Sequence, residues 1–477
     1  MNSPISSRAS ANARAPAPSR SPIAYLILRL HFYVGLFIGP FLLIAAASGA
    51  LYALTPQIEE AVYAEQLFTA NRGDALPLAE QIAAARRVAG PDAEPAVIRP
   101  APEPGTTTRV MFNAPGMNAS QHRAIFVDPI TAEVKGDLTV YGTSGVLPVR
   151  AWLDLFHREL QLGAAGRWYS ELAASWLWIA AIGGLVLWFR RARTPAGGHR
   201  LRRWHARLGV WAMLGFVFFS ATGLTWSQYA GSNIGVLRAH YGWGTPGIST
   251  NLTGAPQPES EHAHHQTMAA AHDAHAHHAA PTTTGNAALD TDRRFDQVLA
   301  VARAEGLEAG RIEVRRPASA DRAWSVVEID RRWPTQVDAA AIDPRSMTVI
   351  DRTRFETFPI AAKLTRWGID AHMGVLFGWI NQLVLIVFAF ALVVMVVWGY
   401  LMWWRRRPTK IYANQPRLGL VQAIAQLPTS NKIGCALLAL ALGYALPVMG
   451  VSLLVMLIGD SLFSLAARRR AHRAVKP

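Results

Sequence analysis

The sequence predicts a mainly α integral membrane protein: a four-helix core bundle built from a duplicated unit, a C-terminal apolar helical hairpin, and two outer α+β modules. Three observations predict it. Four apolar stretches reach the roughly 20 residues that a helix needs to cross a bilayer, the joints between them are crowded with arginine, and the two halves repeat at a constant offset. Of the 477 residues 51% are apolar in type and 17% charged, and the mean hydropathy is +0.15, unlike an ordinary soluble domain. The net charge of +15 is arginine-driven, since only five of the 47 basic residues are lysines. Basicity on an apolar chain points to membrane topology and away from nucleic acid. Cys435 is the sole cysteine, which excludes a disulfide framework, a Cys-ligated zinc, an iron–sulfur cluster and a CxxCH haem. Metal chemistry has to rest on His, Met or carboxylates.

Taken in order, residues 1–21 read as a disordered cytoplasmic tail carrying Arg8, Arg14 and Arg20, and 22–54 as a first span too long for a signal-peptide core. An outer module, 55–167, follows with 13 acidic and 10 basic residues; its helix-like stretch from Leu76 to Val88 precedes alternating β-type segments. The second span, 168–190, leads into a joint, 191–203, that is cytoplasmic by the excess of positive charge there. The third span, 204–228, opens the second outer module, 229–370, with a helix-like stretch from Phe295 to Ala304 and a His-rich insert, 260–281. A fourth span, 371–404, returns to a cytoplasmic segment, 405–432. The apolar region 433–467, interrupted by Pro447 and Gly450, reads as a hairpin or one kinked helix. The basic tail 468–477 is also inside, which favours the hairpin. The whole is a multi-pass protein of the bacterial inner membrane with its N-terminus in the cytoplasm and the lipid bilayer as its first partner.

The duplication is explicit. Asp128-Pro129 recurs as Asp343-Pro344, His157 as His372, Gly163 as Gly378, Gly184 as Gly399, Trp188 as Trp403 and Arg190 as Arg405, all 215 residues apart. Upstream, His31, Gly35 and Gly49 recur as His205, Gly209 and Gly223 at 174, and the difference of 41 is the second-module insertion. Repeats of this kind put shared sites on the interface between copies.

Two histidines, His31 and His205, therefore fall at the inner ends of outward-running helices, each with a glycine (Gly35, Gly209) at i+4 on the same face. The other two, His157 and His372, precede inward-running helices on the outer side. From His31 to Gly49 is 18 residues, or about 27 Å of helix, so the two pairs sit at opposite membrane faces. Imidazole suits iron, and bundle cofactors are held by side chains on facing helices. Two imidazoles on opposite sides of a flat macrocycle make a six-coordinate haem b, and a glycine one turn away lets the porphyrin approach the backbone. Two haems b, one per pair, would carry electrons through the bilayer. The plain alternative is four interfacial histidines at helix ends; their paired symmetry argues against it, as does the rarity of ionisable groups near spans without function. A zinc or copper ion lacks the carboxylate or thiolate partners it commonly recruits.

The blocks RWPTQVDAAAIDPRSMTV, LTRWGIDAHMGVLFGWINQLV and GYLMWWRRRP, with FHRELQLGAAGRW and SGALY in the first half, resemble the PepSY-associated transmembrane proteins. That family includes iron-regulated membrane proteins and siderophore reductases. The resemblance covers about residues 25–407. It implies periplasmic PepSY-like modules and, in reductase-like members, two b-type haems that reduce ferric siderophores on the periplasmic side, with His31, His205, His157 and His372 as the ligands.

Gly242, Gly244 and Gly247 fit GxGxxG, but no strand precedes them and Pro246 disrupts a helix start, so no NAD or FAD site is expected. Electrons must then enter from a quinol or a separate cytoplasmic reductase. The tract with His262, His264, His265, His272, His275, His277 and His278 is either a weak metal-binding segment or a loop that happens to be His-rich. A relay through Trp176, Trp178, Trp188, Trp403 and Trp404 is less expected than interfacial belts and packing. Glu171 either assists proton movement or faces water. The function expected is reduction of ferric siderophore or another periplasmic acceptor. The alternative is a non-redox protein whose outer modules bind peptides or restrain a peptidase.

Overall fold

The computed structural model describes residues 21–117, 120–142, 145–191, 200–253, 285–405 and 419–475. The His-rich tract and nearly all of the N-terminal tail lie outside the described residues. Among the described residues five helices are long and apolar enough to cross a membrane: Pro22–Ala53, Gly163–Arg190, Arg200–Thr225, Gly378–Arg405 and Pro447–Ala466. The first four enclose a core of Val34, Leu42, Trp176, Phe216 and Leu392. Their outward faces stay apolar and uncovered, as at Leu214 (75% exposed) and Phe390 (66%), a surface stable only against lipid. The chain is a multi-pass membrane protein.

The first span is not a uniform α-helix. A π-turn, Val34–Ile38, lies within it and is followed by Gly39 and Pro40. Pro40 has no N–H to give the carbonyl of Leu36, four residues back. The Tyr400 hydroxyl of the fourth span donates to that carbonyl at 2.6 Å instead. Gly39 makes this approach possible, because a Cβ there would lie 3.2 Å from the Tyr400 ring. A broken hydrogen-bond ladder inside the membrane is thereby satisfied by a neighbouring helix.

The connections after the first and third spans supply four strands each: β1 Pro95–Arg99, β2 Thr108–Phe112, β3 Gln121–Val127 and β4 Val134–Tyr141; then β5 Ile312–Arg315, β6 Trp324–Glu328, β7 Ala339–Ile342 and β8 Val349–Thr353. The strands form one eight-stranded antiparallel sheet, ordered β4-β3-β2-β1-β5-β6-β7-β8, joined at its centre by Val97 opposite Arg315 and Ile98 opposite Val314. Each half alone would leave a strand edge unpaired, and each edge completes the other. Helices Leu78–Ala89 and Gly285–Ala304 cover one face over Ile98, Val110, Ile125, Val314 and Val326. Alternation sends Val97, Met111, Phe126 and Val140 to the opposite face, against Leu147. The repeated Asp-Pro pairs are turn formers: Asp128 accepts from the N–H of Ile130 at 2.8 Å and Asp343 from that of Arg345 at 2.6 Å, closing β3–β4 and β7–β8.

The C-terminal apolar region is two helices, Thr429–Ala445 and Pro447–Val475, parted at Leu446. Gly443 and Gly450 meet at this corner, where a Cβ on Gly450 would lie 2.8 Å from the Gly443 Cα. The second helix returns far enough for Asp460 to accept from the N–H of Val421 at 2.9 Å, so the chain reverses and is not one kinked helix. Only the second of the two is long and apolar enough to span.

Candidate functional site

His31 lies nine residues inside the first span, well past its beginning at Pro22, and not at the helix end that its sequence neighbourhood suggested. It faces His205 of the third span, with ring centroids 6.4 Å apart and ring planes at 85°. Among the described residues no group of three or more His, Cys, Asp or Glu is placed to hold a metal ion. The arrangement is a pair, which suits a macrocycle that supplies its own equatorial ligands better than a bare ion.

The surroundings test that fit. Nδ1 of His31 donates to the Ala180 carbonyl of the second span at 3.0 Å, so its Nε2 keeps the lone pair. The ring rests on Gly184, where a Cβ would lie 3.2 Å from its Cε1. Nδ1 of His205 is buried without a partner of hydrogen-bonding geometry. A Cβ on Gly35 would meet nothing within 4 Å, whereas one on Gly209 would lie 2.9 Å from the Met395 methyl. The space that both glycines were expected to leave is thus open at Gly35 and taken by a flexible thioether at Gly209. The π-turn widens the helix just beyond His31, a local feature common at functional positions.

At the sheet end, His157 lies on helix Pro148–Glu159 and His372 ends helix Ile360–His372. Both helices precede their spans and are separate from them. The two histidines occupy equivalent places in the two halves. Each is held by a hydroxyl of the span opposite: Ser48 Oγ lies 2.9 Å from His157 Nδ1, and Thr222 Oγ1 lies 2.6 Å from His372 Nδ1. Gly49 makes room for His157, its notional Cβ falling 3.1 Å from the ring. From His31 to Ser48 is 17 residues of the first span, so the pairs stand about 26 Å apart along it.

Sequence reasoning did not single out Ser48 or Thr222. Their signal is that Ser48-Gly49 and Thr222-Gly223 share the 174-residue offset of His31 and His205. Also missed was Asp460, which accepts from the Tyr33 hydroxyl two residues beyond His31. Glu171 neither faces water nor stands free: it is fully buried and accepts from the N–H groups of Tyr229 and Ala230 at 2.9 and 3.0 Å, capping helix Tyr229–His240. Trp176 is buried and donates to Ser452 at 2.9 Å, tying the second span to the fifth. Trp188 and Trp404 are exposed near the arginine-bearing ends of their spans, as an interfacial belt requires. A helix, Tyr229–His240, precedes the three-glycine segment.

Residues 28–406 match the family model described as the PepSY-associated TM region. A membrane protein with a sheet spliced between duplicated spans is the class that the fold defines, and this chain belongs to the PepSY-associated transmembrane family. No curated protein matches the chain.

Proposed function

We propose that this protein is an inner-membrane di-haem b electron-transfer protein that reduces ferric siderophore, or another ferric complex, on the periplasmic side during iron uptake. The observation that carries the reading is the His31–His205 pair, which the first and third spans bring face to face at 6.4 Å between ring centroids and which would hold one haem. His157 and His372 would hold the second. Bound there, haem b supplies reversible one-electron chemistry at iron. The chain's own part is to orient the imidazoles, exclude water with apolar spans, and space two centres across the bilayer. The arginine-rich ends then face the cytoplasm, where a quinol or a separate reductase donates, and the sheet faces the periplasm.

The seam between sheet and bundle suits an electron-accepting end. Tyr52 stands one turn beyond Ser48 and its hydroxyl accepts from Arg150 at 3.2 Å. Arg331 and Arg366 share Asp370, and Arg109 lies over the Phe126 ring, 5.3 Å from its centroid. Burial, then the neighbouring Arg99, lower Arg109 to about 10, which leaves it charged at neutral pH. Burial also raises the Glu59 carboxyl beside Arg150 and Arg109, and the four guanidinium groups of Arg109, Arg150, Arg331 and Arg366 outnumber Glu59 and Asp370. Such a field favours the reduced centre and draws anionic chelates. Reduction loosens the iron because Fe(II) is less charged and softer than Fe(III) and is held less tightly by hard oxygen ligands.

The test is the haem content of protein purified from iron-replete cells. Two haems b per chain, with reduced b-type absorption bands, are expected. Colourless protein would overturn the reading and favour a non-redox role in which the cleft of about 880 Å³ beside Gln81, Thr108, Arg293 and Asp296 binds a peptide or restrains a peptidase.

A further inference from the structure

Ser48 and Thr222 occupy equivalent places in the two halves, and each hydroxyl meets carbonyls of its own helix as well as a histidine nitrogen. Ser48 Oγ donates to the Ile44 carbonyl at 2.7 Å, and Thr222 Oγ1 donates to the Phe218 carbonyl at 2.7 Å, the back-bond of a hydroxyl inside a helix. A hydroxyl has one proton. With that proton given to its own helix, the oxygen can only accept from the histidine, so His157 and His372 must each carry hydrogen on Nδ1 and present Nε2 as a bare lone pair. The approach of the Ala45 carbonyl to His157 favours the same tautomer, because a carbonyl can only accept. In the arginine-end pair the approaching groups are backbone carbonyls, Ala180 for His31 and Met395 for His205.

We propose that Ser48 and Thr222 are positioning residues for the sheet-end centre, fixing the tautomer and ring orientation of His157 and His372 and setting the potential of that centre independently of the other. The proposal rests on the two-haem reading. An acceptor on Nδ1–H makes the imidazole a stronger donor to iron and stabilises the ferric state; removing it should raise the potential. Each hydroxyl meets Nδ1 and leaves Nε2 for the ligand, so its effect would run through the histidine.

The test is spectroelectrochemistry of the full chain in detergent or nanodiscs, comparing wild type, Ser48→Ala, Ser48→Thr, Thr222→Val and Thr222→Ser. The sheet-end centre is identified as the signal missing from His372→Ala. Ser48→Ala and Thr222→Val are expected to shift its midpoint upward and leave the other centre unmoved, while Ser48→Thr and Thr222→Ser stay close to wild type. Loss of the sheet-end haem in Ser48→Ala alone, with retention in Ser48→Thr, also supports the role, since only the hydroxyl separates the two. No shift in either hydroxyl-deleted variant, or equal shifts of both centres, would overturn the proposal while leaving the haem reading intact. A wild-type chain without haem would overturn both.

Discussion

At the scale of single residues, three of the four paired histidines are defined by what Nδ1 does. Ala180, Ser48 and Thr222 occupy Nδ1 of His31, His157 and His372, which leaves Nε2 for a ligand. Substituting one ligand should therefore empty one site and spare its counterpart some 26 Å away along the first span. His372→Ala is expected to lower the haem content from two per chain to one, with the remaining signal still carried by His31 and His205. A haemochrome assay measures this, and loss of both haems or of neither would contradict the pairing. The same variant should abolish reduction of an external ferric chelate even when the remaining centre is chemically reduced.

At the scale of elements, helix ends and breaks are satisfied by residues far away in sequence. Pro40 leaves the Leu36 carbonyl open and Tyr400 closes it. Glu171 plays the corresponding part at a helix start, its carboxylate holding two backbone donors of Tyr229–His240. Glu171→Ala would leave those donors buried and unmet, at a cost of about 1–3 kcal/mol. A lower thermal midpoint is expected, with haem spectra unchanged in the protein that remains folded. Glu171→Gln, which keeps one acceptor oxygen, should fall between. If the alanine variant instead kept its stability and lost electron transfer, Glu171 would be a proton carrier and not a cap.

At the scale of the whole molecule, the join between the halves is the sheet centre, where Glu313 of β5 lies between Arg99 of β1 and Arg315, accepting from them at 2.7 and 2.8 Å. Burial works to raise the Glu313 carboxyl, but the two guanidinium groups outweigh it and hold it below the ordinary 4.5. A folded-state value below the unfolded one stabilises the sheet above pH 4.5, and this contribution is lost as the pH falls through the folded value. Wild-type protein is expected to lose more stability than Glu313→Gln between pH 7 and about pH 3. Denaturant unfolding followed through the buried Trp324 would show it, and equal losses would remove Glu313 from the account.

Much of this was legible in the chain. Apolar length marks spans because a bilayer has one thickness, and a constant offset marks a duplication because each copy repeats the same positions. The equivalence of His31 with His205 and of His157 with His372 follows from register alone. Other features depend on neighbours that no local pattern encodes. Two sets of four strands could have remained separate modules; they merged because β1 and β5 each expose an edge that the other can pair. The hydroxyls of Ser48 and Thr222 look like ordinary helix residues until the packing of spans brings a histidine to each. Glu171 looks like a free carboxylate until a distant helix places two N–H groups against it. The sequence by itself determined the membrane class, the repeat and the candidate ligands, because periodicity and hydrophobic length are properties of the chain. Only the tertiary structure decided which nitrogen His31, His157 and His372 keep free, because a hydrogen bond is chosen by the group that arrives opposite.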